Sequence, residues 1–124
     1  MNVVVLSGHV SSEPVARELP SGEVVWSFDL AAELSEADPP TSVPVPVAWS
    51  GTGAEGWPKG TPLVIAGMVR RRFFRTGGTT QSRTEVVAEH IVAVTKRRSV
   101  ERALAGVLAA LRDEDRSKLR SLVG

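Results

Sequence analysis

One segment constrains the fold of this chain more than any other, residues 24–33, where apolar and polar side chains alternate. Side chains of a β-strand point alternately to the two faces of a sheet, so this alternation predicts a strand with one buried face. The residues predicted on the buried face are Val24, Trp26, Phe28, Leu30 and Ala32, and those predicted on the other face are Val25, Ser27, Asp29 and Glu33. We therefore expect a half-buried sheet, with Trp26 packed in the core or at its end.

Other strand-like segments surround this one, and no helical periodicity interrupts them before residue 95. The further segments that predict strands are 2–10, with Gly8 at a bend or bulge, then 15–19, 43–49, 63–74 and 83–94. Thr76-Gly77-Gly78-Thr79 has the residues of a tight hairpin turn. Strands that follow one another without intervening helices predict an all-β fold, a small five-stranded antiparallel barrel with a long basic β-hairpin.

Two proline-containing segments are expected to differ from the regular strands. Proline cannot donate to a β-ladder, so Pro44 and Pro46 place the strand 43–49 at an edge or leave it with few hydrogen bonds. The segment 34–42 is polar and interrupted by proline, and we expect a loop there.

The period of the apolar residues changes from two to 3.6 beyond Thr95. Ser99 is a candidate N-cap, and one apolar stripe is predicted from Val100, Leu104, Val107, Leu108 and Leu111. A second short helical segment is expected near Leu119, Leu122 and Val123. The predicted organisation is therefore a barrel domain over residues 1–95 and a C-terminal helical extension over 96–124.

Charge is distributed very unevenly along the chain, although the formal net charge is only +1. Residues 1–69 hold two basic and eight acidic side chains, whereas residues 70–98 hold eight basic and two acidic ones. A concentrated basic segment on an otherwise acidic chain indicates a polyanion that docks in one place.

Catalytic and metal chemistry find little support in the sequence. There is no cysteine, and the only histidines, His9 and His90, stand alone on predicted strands. The loop Gly51–Gly56 matches G-x-G-x-x-G, but Trp57-Pro58 after it cannot open the helix that a dinucleotide site requires. We expect a protein that is not an enzyme and needs no cofactor or metal. The sequence has no apolar span long enough for a bilayer and no basic leader, so we also expect a soluble, cytoplasmic protein.

The basic segment combines arginine with aromatic residues in "RRRFFR", residues 70–75. On a strand, Val69, Arg71, Phe73 and Arg75 point one way, and Arg70, Arg72 and Phe74 point the other. Proteins that bind single-stranded nucleic acid need cations for the phosphates and flat rings for the bases, and both faces of this strand offer the two together. Inward packing of Phe73 or Phe74 is the alternative, and the roles of Trp49 and Trp57 stay open between packing and exposure.

The order of four segments resembles the bacterial single-stranded DNA-binding protein family over residues 1–94. The segments are MNVVVLSGHVSSEP, LPSGEVVWSFDLAAE, PKGTPLVIAGMVRRRFFRTGG and RTEVVAEHIVAV. The resemblance implies an OB-fold that binds single-stranded DNA without marked sequence preference in replication, recombination or repair, as a homodimer or homotetramer. Trp49 falls where the family has an aromatic residue at the end of the third strand, and Phe73 where it has a stacking tryptophan. The residues expected to contact DNA are Trp49, Lys59, Arg70, Arg71, Arg72, Phe73, Phe74, Arg75 and Arg83.

The sequence also departs from the family. Val43 stands where the family has a stacking tryptophan, residues 34–42 carry no aromatic ring, and the family's acidic C-terminal tail is missing. We expect weaker binding than in a housekeeping member, and the recruitment of a replication or repair protein stays open. Two alternatives remain: an accessory OB-fold protein similar to the primosomal replication protein, which bridges proteins on DNA, and a protein assembly module without a DNA role.

Overall fold

The structure is a computed structural model, and it describes residues 1–35, 41–94, 102 and 104–113. The strands in these residues are β1 (Val4–Val10), β2 (Val15–Glu18), β3 (Val24–Ser35), β4 (Thr41–Trp49), β5 (Pro62–Thr76) and β6 (Thr79–Ala93). A single 3-10 turn, Ala54–Gly56, lies between β4 and β5.

Five of these strands close into a barrel. The sheet order is β1-β5-β6-β4-β3, and β3 pairs back onto β1 through Gly8–Val10. All pairings are antiparallel except that of β4 with β6, which run parallel over three residue pairs that begin at Val47 and Val86. The extra strand, β2, pairs only with β3, on the outside of the closed ring. A closed five-stranded barrel with one additional strand and a short C-terminal helix is an OB-fold, so the predicted fold class is confirmed.

The alternation of β3 is confirmed only in part: Phe28, Leu30 and Ala32 face the barrel interior as predicted, whereas Val24, predicted on the same buried face, is 42% exposed, and Ala31 is also buried. Phe28, Leu30 and Ala32 are buried in the core, and Trp26 is half-buried against it. Val10, Val47, Leu63 and Ile65 complete the centre of this core. At roughly 1.5–3 kcal/mol for each large apolar side chain that is buried, this interior is the main source of the barrel's stability.

The prediction of an edge strand is confirmed for the first part of β4. Residues 41–46 pair with β3 alone, and β6 joins β4 only from Val47 onwards. Pro44 lies opposite Ala31 and Pro46 lies opposite Asp29. Alternate residues of a strand direct their backbone N–H groups to the same side, so both prolines leave their missing donors on the side without a neighbouring strand.

The predicted loop 34–42 is wrong at both ends. β3 continues to Ser35 and β4 begins at Thr41, because the two strands keep pairing past the end of the apolar pattern, across a register shift between Glu33 and Ser35. The remaining residues of that prediction, 36–40, lie outside the described residues.

The predicted hairpin turn is confirmed. Gly77 and Gly78 join β5 to β6 with φ angles of 61° and 80°, the left-handed geometry that two-residue hairpin turns require. Both hairpin strands are longer than predicted, since Thr79–Ser82 pair with β5 although they carry no apolar pattern.

A helix covers one outer face of the barrel. Residues 102 and 104–113 are helical, and Val107, only 3% exposed, packs with Val64, Ala66 and Val94. Leu111 is half-buried at the edge of this cluster, whereas Leu104 and Leu108 are exposed, so only part of the predicted stripe faces the barrel. Ser99, Val100 and the segment with Leu119, Leu122 and Val123 lie outside the described residues, and the division at residues 95 and 96 stays a prediction.

Candidate nucleic-acid interface

The end of the long hairpin projects from the barrel as a two-stranded ribbon, residues 70–85. The last pair between β1 and β5 joins Val4 to Gly67, and β6 meets β4 only from Val86, so the ribbon strands pair with each other alone. Asn2 fixes the base of the ribbon. Its side-chain Nδ2 donates to the Val69 carbonyl at 2.7 Å, and its Oδ1 accepts from the Val69 N–H at 3.0 Å.

The ribbon presents two faces, each with arginine and phenylalanine. One face carries the pairs Arg70–Glu85, Arg72–Arg83 and Phe74–Gln81, and the other carries Arg71–Thr84, Phe73–Ser82 and Arg75–Thr80. Phe73 is 66% exposed and Phe74 is 36% exposed. Neither phenylalanine is buried in the core, so both rings are accessible to a ligand.

A groove of about 270 Å³ lies where the first face of the ribbon meets the outer surface of β3 and β4. We call it the β3–β4 groove, and its polar lining consists of Ser12, Glu13, Ser27, Asp29, Arg72, Arg83 and Glu85. Pro46 and Val15 contribute apolar surface. β3 and β4 are the second and third strands of the barrel, the face on which OB-folds bind oligonucleotides.

Two of the five arginines in the ribbon are neutralised by carboxylates of the same chain. Arg70 Nη2 lies 2.6 Å from Glu85 Oε1, and the Glu85 side chain is only 8% exposed. Arg83 Nη2 lies 3.3 Å from Asp29 Oδ1 in a more open pair. The local positive charge is therefore smaller than the sequence suggests.

The side chains of the other three ribbon arginines, Arg71, Arg72 and Arg75, make no ion pair or hydrogen bond with any residue that the structure describes. Arg72 lies directly opposite Arg83 across the ribbon, and like charges at such positions repel each other. An anion bound between the Arg72 and Arg83 side chains would relieve that repulsion.

Lys59 approaches the groove from its other side. Its backbone N–H points at Glu13 Oε1 at 3.5 Å, and Glu13 lines the groove. The backbone of Lys59 thus lies beside Glu13 at the edge of the groove, but Lys59 is not one of the residues that line it.

Trp49 occupies a different place, at the rim of the barrel core. Its ring is half-buried, lies 6.1 Å from the ring of Trp57, and donates from Nε1 to the Thr52 carbonyl at 3.1 Å. A Cβ on Gly51 would fall 2.2 Å from this ring, so the loop after β4 closes tightly over it. Trp57 itself is buried against Phe28. Trp49 pairs with Ala88, six residues along β6 from the partner of Phe73, which is a distance of about 20 Å.

The two carboxylates that pair with ribbon arginines were not among the site residues predicted from the sequence. Asp29 and Glu85 are charged residues of predicted strands, but nothing local to either indicates its arginine partner. For Asp29, the alternation of β3 gave the one available signal, because it places that side chain on the outer face.

The Arg70–Glu85 pair is expected to matter for stability. Arg70→Ala leaves the Glu85 carboxylate buried without its cation, and we expect the free energy of unfolding to fall by about 2–3 kcal/mol. Denaturant unfolding of this variant measures the loss. Arg71→Gln, one residue away and without an ion pair among the described residues, is the matched control and should change stability by less than about 0.5 kcal/mol. Equal stabilities of the two variants would contradict a structural role of the pair.

No group of three or more His, Cys, Asp or Glu side chains that could hold a metal ion occurs among residues 1–35, 41–94, 102 and 104–113. No helix within those ranges is long and apolar enough to cross a membrane. In the Gly51–Gly56 loop the chain forms only the 3-10 turn, with Ala54 buried, and Trp57 follows in non-helical geometry.

Known proteins resemble this chain in structure rather than in sequence. No family model matches the chain, and no curated protein matches it. Among solved structures, the Plasmodium falciparum SSB complex with ssDNA is similar, with a TM-score of 0.64 and 18% sequence identity over 77% of this chain and 96% of that one. This likeness shows the OB-fold, and the resemblance to the bacterial family stays a prediction.

Proposed function

We propose that this protein binds single-stranded DNA without marked sequence preference, through the ribbon and the β3–β4 groove. The observation that carries the proposal is the ribbon itself, where the exposed rings of Phe73 and Phe74 alternate with Arg71, Arg72 and Arg75. An OB-fold whose hairpin combines free cations with exposed rings has the two groups that single strands need.

Each group has a separate task in this proposal. Arg71, Arg72 and Arg75 contact phosphates. Phe73 and Phe74 stack with bases, and this stacking does not depend on the base sequence because every base has a flat face. Lys59 adds a cation at the other side of the groove. Trp49 offers a further ring, although its packing against Trp57 leaves only part of it accessible.

The ion pairs of Arg70 and Arg83 change what we expect of these two residues as DNA contacts. Arg70 holds a buried carboxylate, so we assign it first to the structure of the ribbon and only second to DNA. Arg83 is paired more openly and can turn to a phosphate. The similar OB-fold structure from Plasmodium falciparum is of an SSB with ssDNA, which supports a single strand as the ligand of this fold.

The biological setting follows from the same proposal. A sequence-tolerant binder of this kind covers exposed single strands during replication, recombination or repair, in the cytoplasm and as a homodimer or homotetramer. The resemblance stated for residues 1–94 supports this setting.

The proposal is tested by titrating a fluorescein-labelled oligothymidine with the protein and following fluorescence anisotropy. The label is needed because the three tryptophans lie in or beside the barrel core, so their emission reports only indirectly on the ribbon. We expect saturable binding at low salt, at least about tenfold tighter than binding to a duplex of the same length, because paired bases cannot stack on the rings. Equal affinity for the duplex, or no binding, would contradict the proposal and redirect attention to a protein partner for the ribbon.

A further inference from the structure

The two carboxylates that neutralise ribbon arginines differ in how firmly they are held. Glu85 is buried and makes a 2.6 Å contact, so its pair with Arg70 belongs to the fold. Asp29 has a side chain that is 38% exposed, and it meets Arg83 at 3.3 Å through one oxygen. Exposed pairs with a single contact are weak and are readily exchanged for another partner.

The position of Asp29 is nevertheless fixed by its backbone. Its N–H donates to Ser12 Oγ at 2.7 Å, and its carbonyl accepts from the Ser11 N–H at 2.8 Å. The carboxylate is thereby kept at the wall of the groove, within reach of Arg83, whatever the side chain of Arg83 does.

The groove therefore contains an arginine, Arg83, whose positive charge is already neutralised by the Asp29 carboxylate. A phosphate that approaches Arg83 must replace Asp29 as its partner and must then lie close to the displaced negative charge. Like charges a few ångströms apart at a protein surface repel each other appreciably. Arg72, directly opposite Arg83, is subject to no such competition among the described residues.

We propose that Asp29 is an affinity-setting residue, a built-in competitor that holds Arg83 and weakens the binding of phosphates in the β3–β4 groove. This inference rests on the proposed binding of single-stranded DNA. It gives a second physical cause for the weaker binding that we expect of this chain, in addition to the aromatic residues that it lacks at positions where the bacterial family has them.

The test compares Asp29→Asn with the wild type in the oligothymidine titration. We expect the variant to bind about three- to tenfold more tightly. The slope of log affinity against log salt should become steeper by about 0.7, the value for one more neutralised phosphate on a single strand. Glu33→Gln is the matched control, because it removes the same charge from the same face of β3, about 13 Å along the strand. Its gain should be less than half as large in logarithmic terms.

A double-mutant cycle shows whether the effect acts through Arg83. In the Arg83→Gln background, Asp29→Asn should give no gain beyond that of Glu33→Gln. A gain from Asp29→Asn that persists without Arg83 would overturn the mechanism.

The remaining outcomes separate this inference from the proposed function. If wild type and Asp29→Asn bind equally, or if the variant binds more weakly, Asp29 is not a competitor and the inference fails while the proposed function stands. If neither protein binds at low salt, both fail. If only the variant binds, the proposed function fails for the wild-type chain, and the inference that rests on it fails too.

Discussion

Replacing Phe73 and Phe74 together by alanine is expected to lower the affinity for oligothymidine by roughly thirty- to a thousandfold. Stacking of a base on an aromatic ring contributes about 1–3 kcal/mol, and two lost rings therefore cost roughly 2–4 kcal/mol once the partial burial of Phe74 is allowed for. The anisotropy titration measures this loss directly. The salt dependence should stay the same, because no phosphate contact is removed.

A matched control distinguishes stacking from a general loss of apolar surface. Leu34 is 67% exposed, nearly the same fraction as Phe73, and it lies on β3 rather than on the ribbon. Leu34→Ala should leave the affinity within about twofold of wild type. An equal loss in this control, or an unchanged affinity in the double variant, would refute stacking on the ribbon.

The Gly67→Ala substitution is expected to have the largest effect on stability, with a loss of about 3 kcal/mol or more in the free energy of unfolding. A Cβ at this position would lie 2.0 Å from the Val87 carbonyl oxygen and 2.9 Å from the Cα of Ala88. Both contacts are with backbone of the neighbouring strand, so no side-chain movement can relieve them. Denaturant unfolding measures the loss, and a protein too unstable to purify would agree with it.

Gly56→Ala is the control for this substitution, because a Cβ there meets nothing within 4 Å and the backbone does not have a positive φ. It should change stability by less than about 1 kcal/mol. If Gly67→Ala were as stable as this control, the close approach of β5 and β6 at Gly67 would not be a feature of the folded protein.

The backbone of this fold follows largely from local patterns. The alternation of β3 identified the inward side chains, and Gly77-Gly78 identified the turn, because each depends on residues that are neighbours in sequence. Gly8 was expected at a bend or bulge. The structure shows the reason for a glycine there, since an added Cβ would lie 2.1 Å from the Ala31 carbonyl oxygen where β1 pairs with both β3 and β5.

The site was less predictable, because its charges are set by contacts between distant residues. Arg83 and Asp29 are 54 positions apart, and only the arrangement of β3, β4 and β6 around the barrel brings them together. The sequence left the environment of Trp49 undecided between exposure and packing. In the structure Trp49 is partly buried, because its ring packs against that of Trp57 across a loop. The helix docks through Val107 because Val64 and Ala66 of β5 lie on the outer face of the barrel and pack against it. The periodicity of the helix alone does not indicate which of its apolar residues makes this contact.

The salt dependence of oligothymidine binding tests the central claim most directly. Arg71, Arg72, Arg75 and Lys59 are cations without an ion pair among the described residues, and about four neutralised phosphates give a slope of log affinity against log salt near −3 for a single strand. We predict saturable binding at low salt that weakens with this slope, and a shallower slope, by about 0.7 for each cation removed, in Arg71→Gln and Arg75→Gln. Binding that does not depend on salt, or no binding at the lowest salt, would contradict the assignment of the ribbon as a single-strand interface.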